Sequence, residues 1–115
     1  MQQRWLVSTL LAVIMLIGVS ACTEQPLTIS LQLLAAEQDS VDGRQVVTEG
    51  VVHSFADPLH YWIEDDNLNR VGLAPDELVA DLVGQRVQVS GRFHADPERG
   101  RWIDVAEVQV LTNLD

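Results

Sequence analysis

Gln45 to Phe55 reads QVVTEGVVHSF, a run crowded with β-branched side chains and interrupted by one glycine, Gly50. Such side chains pack well on a pleated surface, so the run predicts a strand. A glycine inside a strand marks a bulge or a sharp bend. Ala56-Asp57-Pro58 breaks the run, and Leu59–Glu64 (LHYWIE) is a second strand ending in the turn Asp65-Asp66-Asn67. Asn69–Leu73 makes a short third strand. Pro75–Val83 then reads as a helix: proline suits the first turn, Asp76 and Glu77 complement the N-terminal dipole, and Leu78/Leu82 and Val79/Val83 lie one turn apart. Gly84 ends it. Gln85–His94 alternates, with Val87, Val89, Gly91 and Phe93 on one face. Asp96–Gly100 is a hairpin loop, and Arg101–Leu111 is the fifth strand.

Ahead of these strands, Ile29–Glu37 begins by alternating but continues as Leu33-Leu34-Ala35-Ala36, which suits a helix better. A short helix over about 31–38, capped by Ser30 and closed by the turn at Asp42-Gly43, is the expectation. Three strands, a helix and two more strands, with a glycine in the long first strand, resembles the OB fold, a small and partly open five-stranded barrel. The resemblance covers about Gln45–Leu111 and rests on element order; the run Val89-Ser90-Gly91-Arg92-Phe93 is common in OB-like fourth strands. The fold class expected is therefore all-β with one or two short helices, a β-β-β-α-β-β barrel following an N-terminal signal helix. The inward positions expected are Val47, Val51, Tyr61, Ile63, Val71, Leu73, Leu78, Leu82, Val87, Val89, Phe93, Ile103 and Val105.

The chain opens with Arg4 and a charge-free apolar run from Leu6 to Val19. Fourteen residues fall short of the ~20 a helix needs to cross a bilayer core. A basic start, a short apolar stretch and small residues at its end are the layout of an export signal. The run ends in Val19-Ser20-Ala21-Cys22, which resembles the lipobox of bacterial lipoproteins, with Val19 where leucine is commonest. That resemblance implies cleavage after Ala21 and acylation of Cys22 by a diacylglyceryl thioether and an N-acyl group. Thr23 in place of aspartate implies sorting to the outer membrane, facing the periplasm. Cys22 is the single cysteine of the chain, so an internal disulfide is excluded. Several acyl chains hold a protein firmly where one does so marginally. The expected organisation is a signal over 1–21, a tether over 22–28 and one OB-like domain over 29–115.

Seventeen acids face seven arginines and no lysine, a formal charge of −10. Loss of residues 1–21 removes Arg4 and no acid, which leaves −11. This balance opposes nucleic-acid binding, which needs a positive footprint. Export removes the chain from cellular DNA as well. Nor is there a catalytic constellation: the serines sit in no nucleophile elbow, no glycine-rich phosphate loop exists, and paired carboxylates fall in turns and at the helix start. His53, His60 and His94 form no metal-ligating pair by spacing, and Asp65-Asp66-Asn67 lacks the rest of a calcium loop. No metal or cofactor is expected.

OB folds bind ligands on the outer face of their second and third strands and the loops beside it. With Leu59, Tyr61 and Ile63 inside, His60, Trp62 and Glu64 face outward beside Arg70; Arg92 and Trp102 complete the candidate ligand face. A one-residue slip would exchange the faces and bury Trp62 instead. The expected function is non-catalytic: a lipid-anchored periplasmic module binding an envelope protein partner or a small envelope ligand. The alternative is binding of single-stranded nucleic acid or an oligosaccharide on the same face, for which an exposed indole beside arginine is a stacking platform.

Overall fold

The computed structural model describes residues 24–112; the expected signal over 1–21 and Cys22 lie outside them. In chain order the elements are β1 (Leu27–Thr28), α1 (Leu31–Ala36), α2 (Gln38–Val41), β2 (Gln45–Ala56), β3 (Leu59–Glu64), β4 (Arg70–Ala74), two 3-10 turns (Asp76–Leu78 and Ala80–Leu82), β5 (Arg86–Asp96) and β6 (Gly100–Val110). Five strands close into a ring, β2-β3-β4-β6-β5 and back to β2, the OB-like barrel that the order of elements predicts. Leu27 and Thr28, at the end of the expected tether, add a short parallel strand outside the ring.

The long strand closes the barrel by serving two neighbours. Gln45–Val51 pairs antiparallel with β5, and Val51–Ala56 pairs antiparallel with β3. The handover occurs at Gly50. A Cβ there would stand 2.9 Å from the Glu64 carbonyl oxygen and 3.0 Å from Leu31 Cδ1, so only glycine lets β2, β3 and α1 approach this closely.

That contact also sets the phase of the strand. Gly50 faces inward, and period-two alternation then buries Val46, Thr48 and Val52. The expected inward residues Val47 and Val51 are half-buried instead, a one-residue slip from the sequence reading. Thr48 is carried inside by the same phase, and its hydroxyl finds no hydrogen-bond partner among the described residues.

The other strands bury the residues their alternation predicts. Tyr61, Ile63, Val71, Leu73, Val87, Val89, Phe93, Ile103 and Val105 form one core with Leu31, Leu34 and Val41 from the helices. Ser30 caps α1, its hydroxyl accepting from the Leu33 amide at 3.2 Å, and Leu31 and Leu34 reach into the core.

The expected α-helix over Pro75–Val83 is instead a pair of 3-10 turns. Its backbone bonds span three residues, Val79 to Asp76 and Leu82 to Val79 among them. A helix of nine residues needs a packed apolar face to persist, and here only Val79 is fully buried. Leu78 is 43% exposed and Leu82 half-buried against the core, which corrects the inward placement of both. The segment's end is tied down by β2: Gly84 N–H donates to the Val52 carbonyl, and Val52 N–H to that of Gln85.

Candidate functional site

Strand register places five residues in one row across the outside of the barrel. His53 stands opposite Trp62, Trp62 opposite Gly72, Gly72 opposite Trp102, and Trp102 opposite His94. The row reads His-Trp-Gly-Trp-His over five adjacent strands. It lies outward because Ile63, Leu73, Ile103 and Phe93, one residue along each of four strands, lie inward. Each indole is stacked on the imidazole of its outer neighbour. His53 and Trp62 have centroids 5.8 Å apart at 11°, and His94 and Trp102 are 4.8 Å apart at 22°. Gly72 separates the two pairs and forms a gap in the row. Glycine leaves that gap open, and two inter-strand spacings make it about 10 Å wide at the backbone.

The two halves are built alike. In each, the acid two residues beyond the tryptophan accepts from its indole N–H: Glu64 Oε1 at 3.4 Å from Trp62 Nε1, and Asp104 Oδ1 at 3.2 Å from Trp102 Nε1. The other oxygen of each acid meets the stacked histidine, His53 Nε2 at 3.6 Å from Glu64 and His94 Nε2 at 2.8 Å from Asp104. Each indole also carries an arginine over its ring, Arg70 at 5.8 Å from the Trp62 centroid and Arg99 at 4.1 Å from that of Trp102. These distances are within cation–π reach.

An open groove of about 640 Å³ runs over this row. His60, Trp62, Arg70, Gly72, Arg99, Arg101 and Trp102 are among the residues lining it, while His53 and His94 stand outside. His60 stacks on Trp62 at 5.2 Å and donates from Nδ1 to the Pro58 carbonyl at 2.7 Å. At the turn end of the β2–β3 hairpin, Phe55 lies against His60 and is exposed with Leu59, which corrects the inward placement of Leu59: the barrel core does not extend to this end of β3.

The loops that carry these groups are held by aspartates. Asp96 Oδ1 accepts from the Glu98 and Arg99 amides at 2.8 and 2.9 Å, which fixes the turn beneath Arg99. Those bonds, from Arg99 first and then Glu98, hold its carboxyl below the usual 3.8. Asp65 does the same for the turn before Arg70, accepting from the amides of Asn67 and Asn69 and from the Asn69 side chain, each at 2.9 Å. Burial raises its pKa, but these bonds outweigh it and the net shift is downward. The turn thus has a capping role that accounts for Asp65. Among the described residues, no three or more His, Cys, Asp or Glu are placed to hold a metal ion.

The groove brings together His60, Trp62, Arg70 and Trp102 from the sequence reading, with Trp62 facing outward and half-buried. Arg92 is placed elsewhere: its guanidinium donates to the Gly43 carbonyl and lies 3.7 Å from Glu24. Cys22 lies outside the described residues. The sequence reading missed Gly72 as the groove's floor and the paired roles of His53, His94, Glu64 and Asp104. One signal was available, because Trp62-Ile63-Glu64 and Trp102-Ile103-Asp104 are the same tripeptide pattern twice.

No protein-family profile and no curated protein sequence matches the chain. Among solved structures, its fold is similar to that of the hypothetical protein ygiW from E. coli, with a TM-score of 0.51 at 15% identity, covering 76% of this chain and 90% of that one. At that identity the likeness speaks to fold alone, an OB-like barrel.

Proposed function

We propose that this chain is an exported, lipid-anchored binding module that takes a small envelope ligand or the side chains of a protein partner in the groove between Trp62 and Trp102, without catalysis. The observation that carries this reading is the row itself: two indoles flank a bare glycine, each backed by histidine and topped by arginine. Aromatic faces with a few fixed polar groups are the usual furniture of a ligand site. The anchor rests on the apolar run ending at Cys22 and on that residue being the single thiol.

The groove reports on itself, since Trp62 and Trp102 are the two tryptophans left after removal of the segment holding Trp5. The processed chain, purified from membranes in detergent, is titrated with oligosaccharides, short oligonucleotides and soluble envelope fractions while tryptophan emission is followed. A saturable change that disappears in Trp62→Ala or Trp102→Ala supports the reading; silence toward every probe sinks it. Preference for an oligonucleotide or a glycan would select the second reading, for which the paired indoles are the favouring observation. Cys22→Ala is expected to appear in the soluble periplasm, and its retention in the membrane fraction would count against the lipid anchor.

A further inference from the structure

We infer that the ligand of this groove presents a doubly charged oxyanion of the phosphomonoester kind, gripped between Arg70 and Arg99 above Gly72. The inference rests on the binding reading above and names the chemistry of its ligand.

Acids outnumber arginines seventeen to seven in this chain, so carboxylate partners are plentiful. Arg86 takes Glu49 and Arg92 takes Glu24. Around the groove, Arg70, Arg99 and Arg101 have no carboxylate within 4.0 Å among the described residues. The two nearest acids of the row, Glu64 and Asp104, are engaged instead by indole N–H groups and histidines. Arg70 and Arg99 lie within cation–π reach of the indoles, at 5.8 and 4.1 Å from the ring centroids, a contact that uses their charge and leaves guanidinium N–H donors available.

All three arginines come from one end of the groove. Arg70 opens β4, Arg99 and Arg101 bracket the start of β6, and these strands run parallel with Gly72 opposite Trp102. Two forks at one end select among anions. A carboxylate has one charge and two oxygens and satisfies one fork, whereas a phosphomonoester brings ~1.5–2 charges at pH 7 and three terminal oxygens, enough to face both. The rest of such a ligand then lies over Gly72, between the indoles. A soluble phosphate ester and a phosphorylated lipid headgroup share this chemistry.

The test uses the processed chain in detergent and four probes: phenyl phosphate, benzoate, phenyl glucoside and dihexanoyl phosphatidate. The expected result is that the two phosphomonoesters bind more tightly than benzoate and that phenyl glucoside is weakest. Arg70→Ala and Arg99→Ala are each expected to weaken phosphate-ester binding about tenfold or more. Arg70→Lys, which keeps the charge and the fold but loses the guanidinium fork, should weaken it as well, and Arg86→Ala should not. Added salt should lower the affinity. Tighter binding of dihexanoyl phosphatidate than of phenyl phosphate points to a lipid headgroup, and the reverse order points to a soluble ester. Benzoate or phenyl glucoside binding as well as phenyl phosphate, affinity indifferent to both arginines, or no binding of either ester would overturn the inference. In those cases the binding reading still stands if glycans, oligonucleotides or envelope fractions change the emission of Trp62 and Trp102, and falls with it if they do not.

Discussion

Replacing Gly91 with alanine tests the closure of the barrel at its tightest point. Gly91 lies on β5 between two neighbours, opposite Val46 of β2 and Val105 of β6, where the β5–β6 register slips by a bulge. A Cβ on Gly91 would stand 2.1 Å from the Asp104 carbonyl oxygen and 2.9 Å from Ile103 Cγ2, against about 3.5 Å for relaxed non-bonded carbon contacts. The oxygen is backbone, so no rotamer change relieves the clash; the β5–β6 ladder must open by ~1 Å or more. Overpacking of this kind costs ~1–3 kcal/mol. Each ladder hydrogen bond stretched out of range adds ~1 kcal/mol. A loss of about 3–4 kcal/mol is expected, from a total of ~5–13 kcal/mol for a domain near 90 residues. The melting midpoint should fall by roughly 12–32 °C. Because Asp104 holds the Trp102 indole N–H and His94, the same shift should disturb the groove. The assay is urea and thermal unfolding of the parent and Gly91→Ala, followed by far-ultraviolet circular dichroism and tryptophan emission. Gly43→Ala is the control, since its Cβ meets nothing within 4 Å and only its φ of +85° is strained, for ~1 kcal/mol. A Gly91→Ala midpoint within 2 °C of the parent, on a scale where each kcal/mol moves a domain of this size by about 4–8 °C, would refute the reasoning.

Thr48→Val removes the buried hydroxyl that has no partner among the described residues and keeps the shape; it should raise stability by about 1 kcal/mol in urea titration. Val79→Ala should cost ~1–2 kcal/mol while Leu78→Ala costs under ~0.5, because only the first is buried; equal costs would restore the amphipathic helix over 75–83. Asp65 and Asp96 have folded pKa values below 3.8, so each contributes stability that is complete above that pH and is lost as the pH falls through the depressed folded value. Denaturation midpoints should therefore drop below about pH 4, and Asp65→Asn/Asp96→Asn together should flatten that drop. Asp96→Ala should also free the turn beneath Arg99 and weaken phenyl phosphate binding, as read by titration calorimetry.

The order and approximate ends of the barrel strands were legible because turn signals such as Asp57-Pro58 and Asp96–Gly100 punctuate runs of clear β character. The phase of the first long strand was not. Val46-Val47 and Val51-Val52 are apolar doublets that fit either face, and the tie is broken by Gly50 meeting Leu31 and Glu64, a contact made only in three dimensions. The 75–83 segment has the periodicity of a helix, but the barrel offers burial to Val79 alone, so tertiary packing overrides the pattern. For the site, strand alternation sufficed to turn His60 and Trp62 outward. Placing Gly72 between Trp62 and Trp102 required the parallel β4–β6 pairing, which joins residues thirty apart and leaves no local trace. Arg92 faces outward on β5 opposite Asp104, but its guanidinium is drawn to Gly43 and Glu24 and does not line the groove.

Among the described residues, a ring in which β2 pairs with both β3 and β5 shortens the rows of vacant amide and carbonyl groups at the sheet margins. Such rows are templates on which neighbouring copies can add strands and aggregate. For a molecule proposed to be concentrated on a membrane surface, where copies meet far more often than in free solution, self-templating is the main hazard of an all-β architecture. Wrapping the sheet onto itself reduces that hazard through backbone geometry, which leaves the outward side chains free to be chosen for recognition.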